Sequence, residues 1–346
     1  MKKAVILFNL GGPDKLENVE PFLFNLFNDP AILNLPTFFR YLLAKFISNI
    51  RAPITKKIYE ELGGSSPILK LTKDQSNFLE KSLNQNEKND AYKCFIVMRC
   101  WHPRADEVIK NVQSYGPEEI ILMHLYPQYS AATSGSSIKE WKNICKKINY
   151  KIKTSIICCY PTDKTFINAH TNEISKKIKN LNNFKLIFSA HGLPEKNIKN
   201  GDPYQWQVEQ SVNKIVENLN YDNLDWVLSY QSRVGPLKWI GPSTDNIIVE
   251  NSKIGKHIVL VPIAFVSEHS ETLVELDIEY KKLAEDNGCK QYTRVPAFGT
   301  NEDFIKGMSE LIIKKDEYKF NDYINSPKIQ CPPHLKKCAC LNLNYE

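Results

Sequence analysis

The stretch KLIFSAHGLP (residues 185–194) decides the fold, because the chain opens on the same pattern, AVILFNLGGP (residues 4–13). Each is an apolar run that ends in a turn rich in glycine and proline, as a buried strand followed by a sharp turn does. A second pair repeats later: EIILMHLYPQYSAATSGSS (119–137) and HIVLVPIAFVSEHSETL (257–273) both break a strand at a proline before a helix start rich in serine and threonine. The repeated order predicts two domains of one architecture.

Short apolar runs alternate with longer amphipathic stretches along the whole chain. Alternating strands and helices are typical of parallel sheets covered by helices on both faces. We therefore predict an α/β fold of two Rossmann-like, doubly wound domains, residues 1–155 and 156–325, as pseudo-repeated halves around a central cleft, followed by a cysteine-containing tail, residues 326–346. The predicted strands are 4–10, 94–100, 120–126, 154–160, 185–190, 226–231 and 257–265.

The first half is longer than the second by one inserted feature. Ile120 lies 116 residues after Ala4, whereas Val259 lies 74 residues after Lys185. The candidate insertion is residues 20–54, which hold six phenylalanines and many leucines. They could form a pair of core helices, or an apolar lip that contacts a flat apolar ligand, a bilayer surface or both.

Length and composition limit the class of protein. The chain has 346 residues, of which 42% are apolar and 24% charged, as in a globular protein. Its net charge of +6 comes from scattered lysines, which argues against a nucleic-acid partner. Nine cysteines without a secretory signal favour a reducing compartment, and no apolar segment reaches the roughly 18 residues of a membrane span. We expect a cytoplasmic protein with possible peripheral contact with the inner face of the membrane.

His191 is the first candidate for chemistry. It follows a predicted strand and lies between two small residues and a glycine, at the strand end where ligands bind in such sheets. Its imidazole is either a structural group near the core or a proton acceptor and metal ligand.

A row of four glutamates, Glu268, Glu271, Glu275 and Glu279, is the second candidate. Their spacing of three, four and four residues predicts one face of a helix that begins near Ser267. No lysine or arginine occurs between Pro262 and Lys281. The row is either an exposed stripe or a set of carboxylates that repel one another and hold extra protons or a cation.

The third candidate is YPQYSAATSGSS (126–137) with MRCWHP (98–103) upstream. Its tyrosines, hydroxyls and Arg99 suit the wall of a site for an aromatic or anionic ligand. The paired glycines near residues 11 and 63 lack the spacing of dinucleotide and phosphate loops, which argues against a nucleotide.

In order along the chain, the motifs LGGSSPI, YPQYS, SAHGLP with GDPY, YQSRVGP and VPIAFVSEHSETLVELDIEY resemble the ferrochelatase family across nearly residues 4–280. The resemblance implies two Rossmann-like domains with a porphyrin cleft between them. It also implies a lyase that inserts Fe²⁺ into protoporphyrin IX, forming protohaem and releasing two pyrrole protons in the last step of haem biosynthesis.

The same resemblance implies roles for individual residues. His191 and Glu271 would be the catalytic and metal-binding pair, and residues 20–54 the apolar lip. The resemblance also places Glu275 and His269 close behind this pair. Together with Glu268 and Glu279 of the glutamate row, they form the expected proton or metal relay. The implied porphyrin-binding residues are Leu10, Arg51, Tyr59, Ser66, Arg99, Tyr126, Ser232 and Trp239.

The tail carries Cys331, Cys338 and Cys340. Animal ferrochelatases hold a [2Fe–2S] cluster on three tail cysteines and one in the tyrosine-rich loop, where this chain has Ala131. A cluster takes four thiolates, so a cluster with another fourth ligand, a zinc ion shared with His334, or free thiols all stay open. Beyond Fe²⁺ as substrate, the reaction requires no cofactor.

Other functions fit parts of the pattern. A coproporphyrin ferrochelatase would carry more cationic groups for two extra carboxylates, and a sirohydrochlorin or cobalt chelatase would need no apolar lip. A non-catalytic haem or metal carrier would need no row of carboxylates to remove protons. The oligomeric state, the iron donor and the route of haem release stay open.

Overall fold

A computed structural model describes residues 1–86, 89–233, 235, 237–318, 324–325 and 331–341, and the chain divides into two units. The first unit comprises Met1–Cys159 and Met308–Lys328, and the second Tyr160–Gly307 and Ile329–Glu346. The strands are β1 (Lys2–Asn9), β2 (Ala91–Met98), β3 (Glu119–His124), β4 (Lys153–Ile157), β5 (Phe184–His191), β6 (Trp226–Gln231), β7 (His257–Pro262), β8 (Tyr292–Arg294) and β9 (Ile324–Asn325).

The first unit is built on a parallel sheet with the strand order β2-β1-β3-β4-β9. Its inner strand β1 is a continuous apolar run because both faces are covered: Ala4 to Phe8 are all buried. The sequence placed residues up to 325 in the second domain. Instead, Ile324 pairs with Ile156 of β4, so β9 is the outer strand of the first sheet.

The second unit is built on a parallel sheet with the order β6-β5-β7-β8. In the central strand β5, Ile187 is paired with Val227 on one side and Leu260 on the other, and the apolar core lies on these strands. All seven predicted strands are present, so both halves have the predicted parallel α/β architecture.

Helices connect the strands in both units. They are α1 (Val19–Phe27), α2 (Thr37–Glu60), α3 (Ile68–Asn86), α4 (Ala105–Tyr115), α5 (Ser136–Lys147), α6 (Lys164–Ile178), α7 (Glu195–Lys199), α8 (Tyr204–Leu219), α9 (Thr244–Lys253), α10 (Tyr280–Asp286) and α11 (Glu302–Ile313). Two π-helices, Ala131–Gly135 and Glu271–Glu279, precede α5 and α10.

The predicted insertion forms α1 and α2, and it is both core and exposed surface. Phe22, Leu23 and Tyr59 are buried in one cluster. On α2, however, three phenylalanines and two isoleucines are more than half exposed, namely Phe38, Phe39, Phe46, Ile50 and Ile54. We call these five the apolar face of α2. In the part of the chain that the structure describes, no helix is long and apolar enough to cross a membrane.

Candidate active site

His191 is the last residue of β5, at the carboxyl end of the second sheet. Its Nδ1 lies 2.8 Å from Oε2 of Glu271, and its side chain is 43% exposed. The next residue has to be glycine, because a Cβ on Gly192 would come within 2.9 Å of the carbonyl oxygen of Gln231. The small residues around the histidine therefore let two strand ends approach closely while the imidazole stays accessible.

Glu271 begins a π-helix, whereas the sequence predicted a regular helix that starts near Ser267. A π-helix closes i→i+5 hydrogen bonds and is frequently found at functional sites. It brings Glu271 and Glu275 to the same partner: Ser232 Oγ lies 3.0 Å from Oε2 of Glu271 and 2.5 Å from Oε2 of Glu275. The backbone N–H of Ser232 also donates to Glu275 Oε1 at 2.9 Å. Ser232 therefore joins the two carboxylates.

The left-handed backbone of Ser232, with a φ of +58°, helps it to do this. Few residues other than glycine adopt this conformation, and it turns the chain abruptly after β6. The strain is typical of a functional position. Ser232 was predicted from the resemblance as a porphyrin contact; its described bonds are to the two glutamates.

Further partners of Glu275 were missed by the sequence analysis. Gln231 Nε2 donates to Glu275 Oε2 at 3.2 Å, and Tyr280 Oη donates to Oε1 at 3.1 Å. Gln231 is itself fixed, because Ser189 Oγ donates to its Oε1 at 2.7 Å. The sequence could have indicated this part of the site, because Ser189 and Gln231 both lie at the ends of predicted strands.

The two glutamates have opposite pKa shifts. Burial acts to raise the pKa of Glu271, but the charge and hydrogen bond of His191, joined by His269, hold it well below its usual range. Burial, followed by the charge of Glu271, raises the pKa of Glu275. For His191, burial acts to lower the pKa, but Glu271 outweighs burial and raises it. The cluster thus pairs an ionised carboxylate with a more basic one.

The other two glutamates of the predicted row lie elsewhere. Glu268 precedes the π-helix, where its Oε1 accepts hydrogen bonds from Arg294 at 2.8 Å and from the backbone N–H of Ala297 at 2.9 Å. Glu279 is exposed at the far end of the π-helix. The spacing of the row suggested one face, but only Glu271 and Glu275 meet. Nε2 of His269 lies 3.8 Å from Glu271 Oε1.

The remaining residue of the second unit that was implied to bind porphyrin is Trp239. It pairs with Pro194 in an isolated antiparallel bridge, and its Cε3 lies 3.2 Å from the position of a Cβ on Gly192. Trp239 is therefore next to the strand end that carries His191. Its indole Nε1 is buried and makes no hydrogen bond within the described residues.

The implied porphyrin-binding residues of the first unit have varied surroundings. Leu10 and Tyr59 belong to one apolar cluster, and the guanidinium of Arg51 lies 5.7 Å from the ring centroid of Phe27. Burial lowers the pKa of Arg51. Ser66 lies beside the first glycine turn, and Tyr126 is half-buried after β3.

Arg99, also implied to bind porphyrin, is bound within the first unit. Its guanidinium contacts Asp29 at 2.8 Å and Glu140 at 3.0 Å, and its Nε donates to Ser136 at 2.8 Å. Asp29 is only 2% exposed. The positive charge of Arg99 is thus neutralised by two carboxylates of its own unit.

The three tail cysteines are buried together in the second unit. Hydrogen bonds from Cys331 and Cys340 lower the pKa of Cys338 to about 3, and Gln207 Nε2 donates to Cys331 Sγ at 3.3 Å. Within the described ranges, no three or more histidine, cysteine, aspartate or glutamate side chains are grouped so that they could hold a metal ion.

Comparison with known proteins agrees with the motifs. The ferrochelatase family model matches residues 2–316. The chain belongs to the ferrochelatase family. It is 80% identical to a ferrochelatase of Pelagibacter ubique over 99% of both chains. It is 54% identical to the ferrochelatase of a Drosophila simulans Wolbachia over 90% of this chain and 99% of that one, and 47% identical to a Rickettsia bellii ferrochelatase over 97% and 94%.

Membership in the ferrochelatase family confirms the predicted enzyme class, a lyase of haem biosynthesis that inserts iron into a porphyrin, with both as substrates. Among solved structures, the chain is similar to "SirB from Bacillus subtilis with Fe3+" with a TM-score of 0.55 and 12% identity, over 91% of this chain and 95% of that one. This likeness confirms the predicted fold class.

Proposed function

We propose that this ferrochelatase inserts Fe²⁺ into protoporphyrin IX to form protohaem, with His191 and Glu271 as the metal-site pair. The observation that carries the assignment is the 2.8 Å contact between His191 Nδ1 and Glu271 Oε2 at the open end of β5. Because Glu271 holds Nδ1, the other ring nitrogen, Nε2, is directed to the substrate as proton acceptor or metal ligand.

The two pyrrole protons need a route away from the porphyrin. A proton accepted by Nε2 of His191 is matched by release of the Nδ1 proton to Glu271, and Ser232 links Glu271 to Glu275. A carboxylate with a raised pKa is the stronger base, so the proton comes to rest on Glu275. Glu279, exposed on the same helix, is our candidate for its release to water. Glu268 does not join this route because Arg294 holds it.

The charges of the site favour protoporphyrin over coproporphyrin as the substrate. Two additional carboxylates on the substrate would need free cationic partners, and Arg99 is already neutralised by Asp29 and Glu140. Comparing kcat/KM for the two porphyrins tests this choice. A preference for coproporphyrin would contradict it.

The assay is anaerobic Fe²⁺ insertion by the wild type, His191→Ala and Glu271→Gln. The controls are His102→Ala and Glu217→Gln, which change exposed side chains of the same types. We expect many turnovers by the wild type and the controls. General acid–base groups raise the rate of a reaction by roughly 10²- to 10⁴-fold. Both site variants should therefore lose activity by a factor in this range and still bind porphyrin. Stoichiometric binding without turnover by the wild type would make the chain a carrier.

We also propose that the apolar face of α2 contacts a bilayer surface peripherally. Three phenylalanines and two isoleucines are exposed on one helix, and Arg40 and Lys45 lie among them in the sequence, as on helices that bind anionic membrane surfaces. This would place the enzyme at the inner face of the cytoplasmic membrane.

For the tail, we propose that Cys331, Cys338 and Cys340 are candidate ligands of zinc or a [2Fe–2S] cluster that would have to shift into ligand geometry on binding, because their described positions do not form a group that could hold a metal ion. Their burial, their mutual hydrogen bonds and the low pKa of Cys338 suit thiolate ligation. Both groups take four ligands, so one must come from outside these three. Metal analysis and the visible spectrum of anaerobically purified protein test this, with Cys338→Ser expected to lose the metal. Metal-free wild type would leave the three as free thiols.

A further inference from the structure

The short strand β8 reaches the π-helix with two side chains. Arg294 donates through Nε and Nη2 to the two carboxylate oxygens of Asp277, each at 2.6 Å, and through Nη1 to Glu268 at 2.8 Å. Two residues before it, Tyr292 Oη donates to the backbone carbonyl of Leu276 at 2.6 Å. The side chain of Arg294 is only 10% exposed, so these charged hydrogen bonds are largely shielded from water.

The two carboxylates that Arg294 holds lie on either side of the site segment. Glu268 precedes His269 and Glu271, and Asp277 follows Glu275. One guanidinium therefore ties the segment at both ends. Without it, two partly buried carboxylates would be left close together, which costs free energy through desolvation and repulsion.

The π-helix needs such support. Its i→i+5 hydrogen bonds make it rare, and a regular helix is the ordinary alternative for the same residues. Conversion to a regular helix would change the rotation of Glu275 relative to Glu271 about the helix axis, and with it the geometry of their two contacts to Ser232. Tyr292 acts at the point where this would happen, because Leu276 directly follows Glu275.

We propose that Arg294, assisted by Tyr292, is a positioning residue that holds the π-helix so that Glu271 and Glu275 both reach Ser232. The proposal rests on the assignment of Glu271 to the metal site. It makes Glu268 an anchor of the segment, in place of the relay role expected from the row of glutamates. Arg294 itself has no contact with the substrate in this assignment.

The test compares Arg294→Met, Arg294→Lys and Tyr292→Phe with Lys282→Met. Lys282 is a 74% exposed cation on α10, so its replacement removes the same charge without touching the π-helix. Hydrogen exchange over residues 268–280 reports the helix directly, and steady-state insertion gives KM for Fe²⁺, KM for porphyrin and kcat.

For Arg294→Met we expect faster exchange over 268–280 and a loss of about tenfold or more in kcat/KM for Fe²⁺, as for a buried charged hydrogen bond. KM for porphyrin should change less than twofold. Arg294→Lys should recover part of the loss, because one ammonium keeps the charge but cannot bind both carboxylates. Tyr292→Phe should give a smaller loss of the same kind.

The proposal would be overturned if Arg294→Met had the same hydrogen exchange over residues 268–280 and the same kcat/KM for Fe²⁺ as the wild type. If that variant does not fold, Asp277→Asn, which preserves the shape of the side chain, is tested in its place. Slower iron insertion with faster exchange over residues 268–280 supports the positioning role of Arg294, and unchanged values overturn it. If the wild type inserts no iron, the proposed function fails, while the exchange data still decide whether Arg294 holds the helix.

Discussion

Ser232 and Glu275 are joined twice, by the hydroxyl at 2.5 Å from Oε2 and by the backbone N–H at 2.9 Å from Oε1. The same hydroxyl lies 3.0 Å from Glu271. A hydroxyl has one proton and can donate to one carboxylate at a time. Both contacts are satisfied when Glu275 is protonated and donates to the hydroxyl, which donates in turn to ionised Glu271. The opposite pKa shifts of the two glutamates favour this arrangement.

Removing the hydroxyl should break this connection. We predict that Ser232→Ala lowers kcat by roughly 100-fold, the lower end of the range for a lost proton-transfer step, with little change in KM for porphyrin. The control is Ser252→Ala, because Ser252 is a buried serine whose hydroxyl makes no hydrogen bond within the described residues. Steady-state kinetics on both variants measure the effect, and equal kcat values would contradict a relay through Ser232.

The ion pair of His191 and Glu271 predicts a pH dependence of stability. The raised pKa of His191 stabilises the fold below its unfolded pKa near 6.5, and this is lost as pH rises through the folded pKa. The lowered pKa of Glu271 stabilises the fold above its unfolded value of 4.5 and is lost as pH falls through the folded pKa. Both contributions are present together at about pH 5–6.

Glu271→Gln should therefore destabilise the fold most near pH 5–6 and less at pH 8–9. Urea unfolding of the wild type and the variant across this range measures the difference in free energy. In the same variant, an NMR titration should show a lower pKa for His191, because the charge that raises it is gone. A pKa equal to that of the wild type would contradict the pairing.

The sequence predicted the strands well, because strands buried on both faces are continuous apolar runs. It missed β8 and β9, which have three and two residues and carry no such run. The spacing of the glutamates fits a regular helix, so nothing in it indicated the π-helix. Arg294 lies 17 residues beyond Asp277 and 26 beyond Glu268. An analysis of local charge could not find that partner, and Glu268 was therefore assigned to the relay.

The apolar face of α2 predicts membrane binding that can be removed without unfolding. Replacing Phe38, Phe39 and Phe46 together by serine should weaken binding to phosphatidylglycerol vesicles at least about tenfold, because each buried phenylalanine contributes roughly 1.5–3 kcal/mol. The melting temperature should change little, since all three are more than 60% exposed. Vesicle sedimentation measures the binding, with Ile254→Ser as a control on another exposed apolar residue. Unchanged sedimentation of the triple variant would contradict the proposal.

Arg99 should act mainly on stability. Arg99→Leu leaves Asp29, which is 2% exposed, without its cation, and breaking a buried ion pair in this way costs about 3–5 kcal/mol. Asp29→Asn should cost less, because the neutral amide keeps its shape and Arg99 retains Glu140. Urea unfolding measures both, with Lys214→Leu as a control because that lysine pairs with Glu217 on the surface. Porphyrin titration of folded Arg99→Leu separates the two roles. Because the guanidinium is already engaged by Asp29 and Glu140, we expect Arg99→Leu to bind porphyrin with an affinity close to that of the wild type. A large loss of porphyrin affinity without destabilisation would instead support the porphyrin contact that the family resemblance implied.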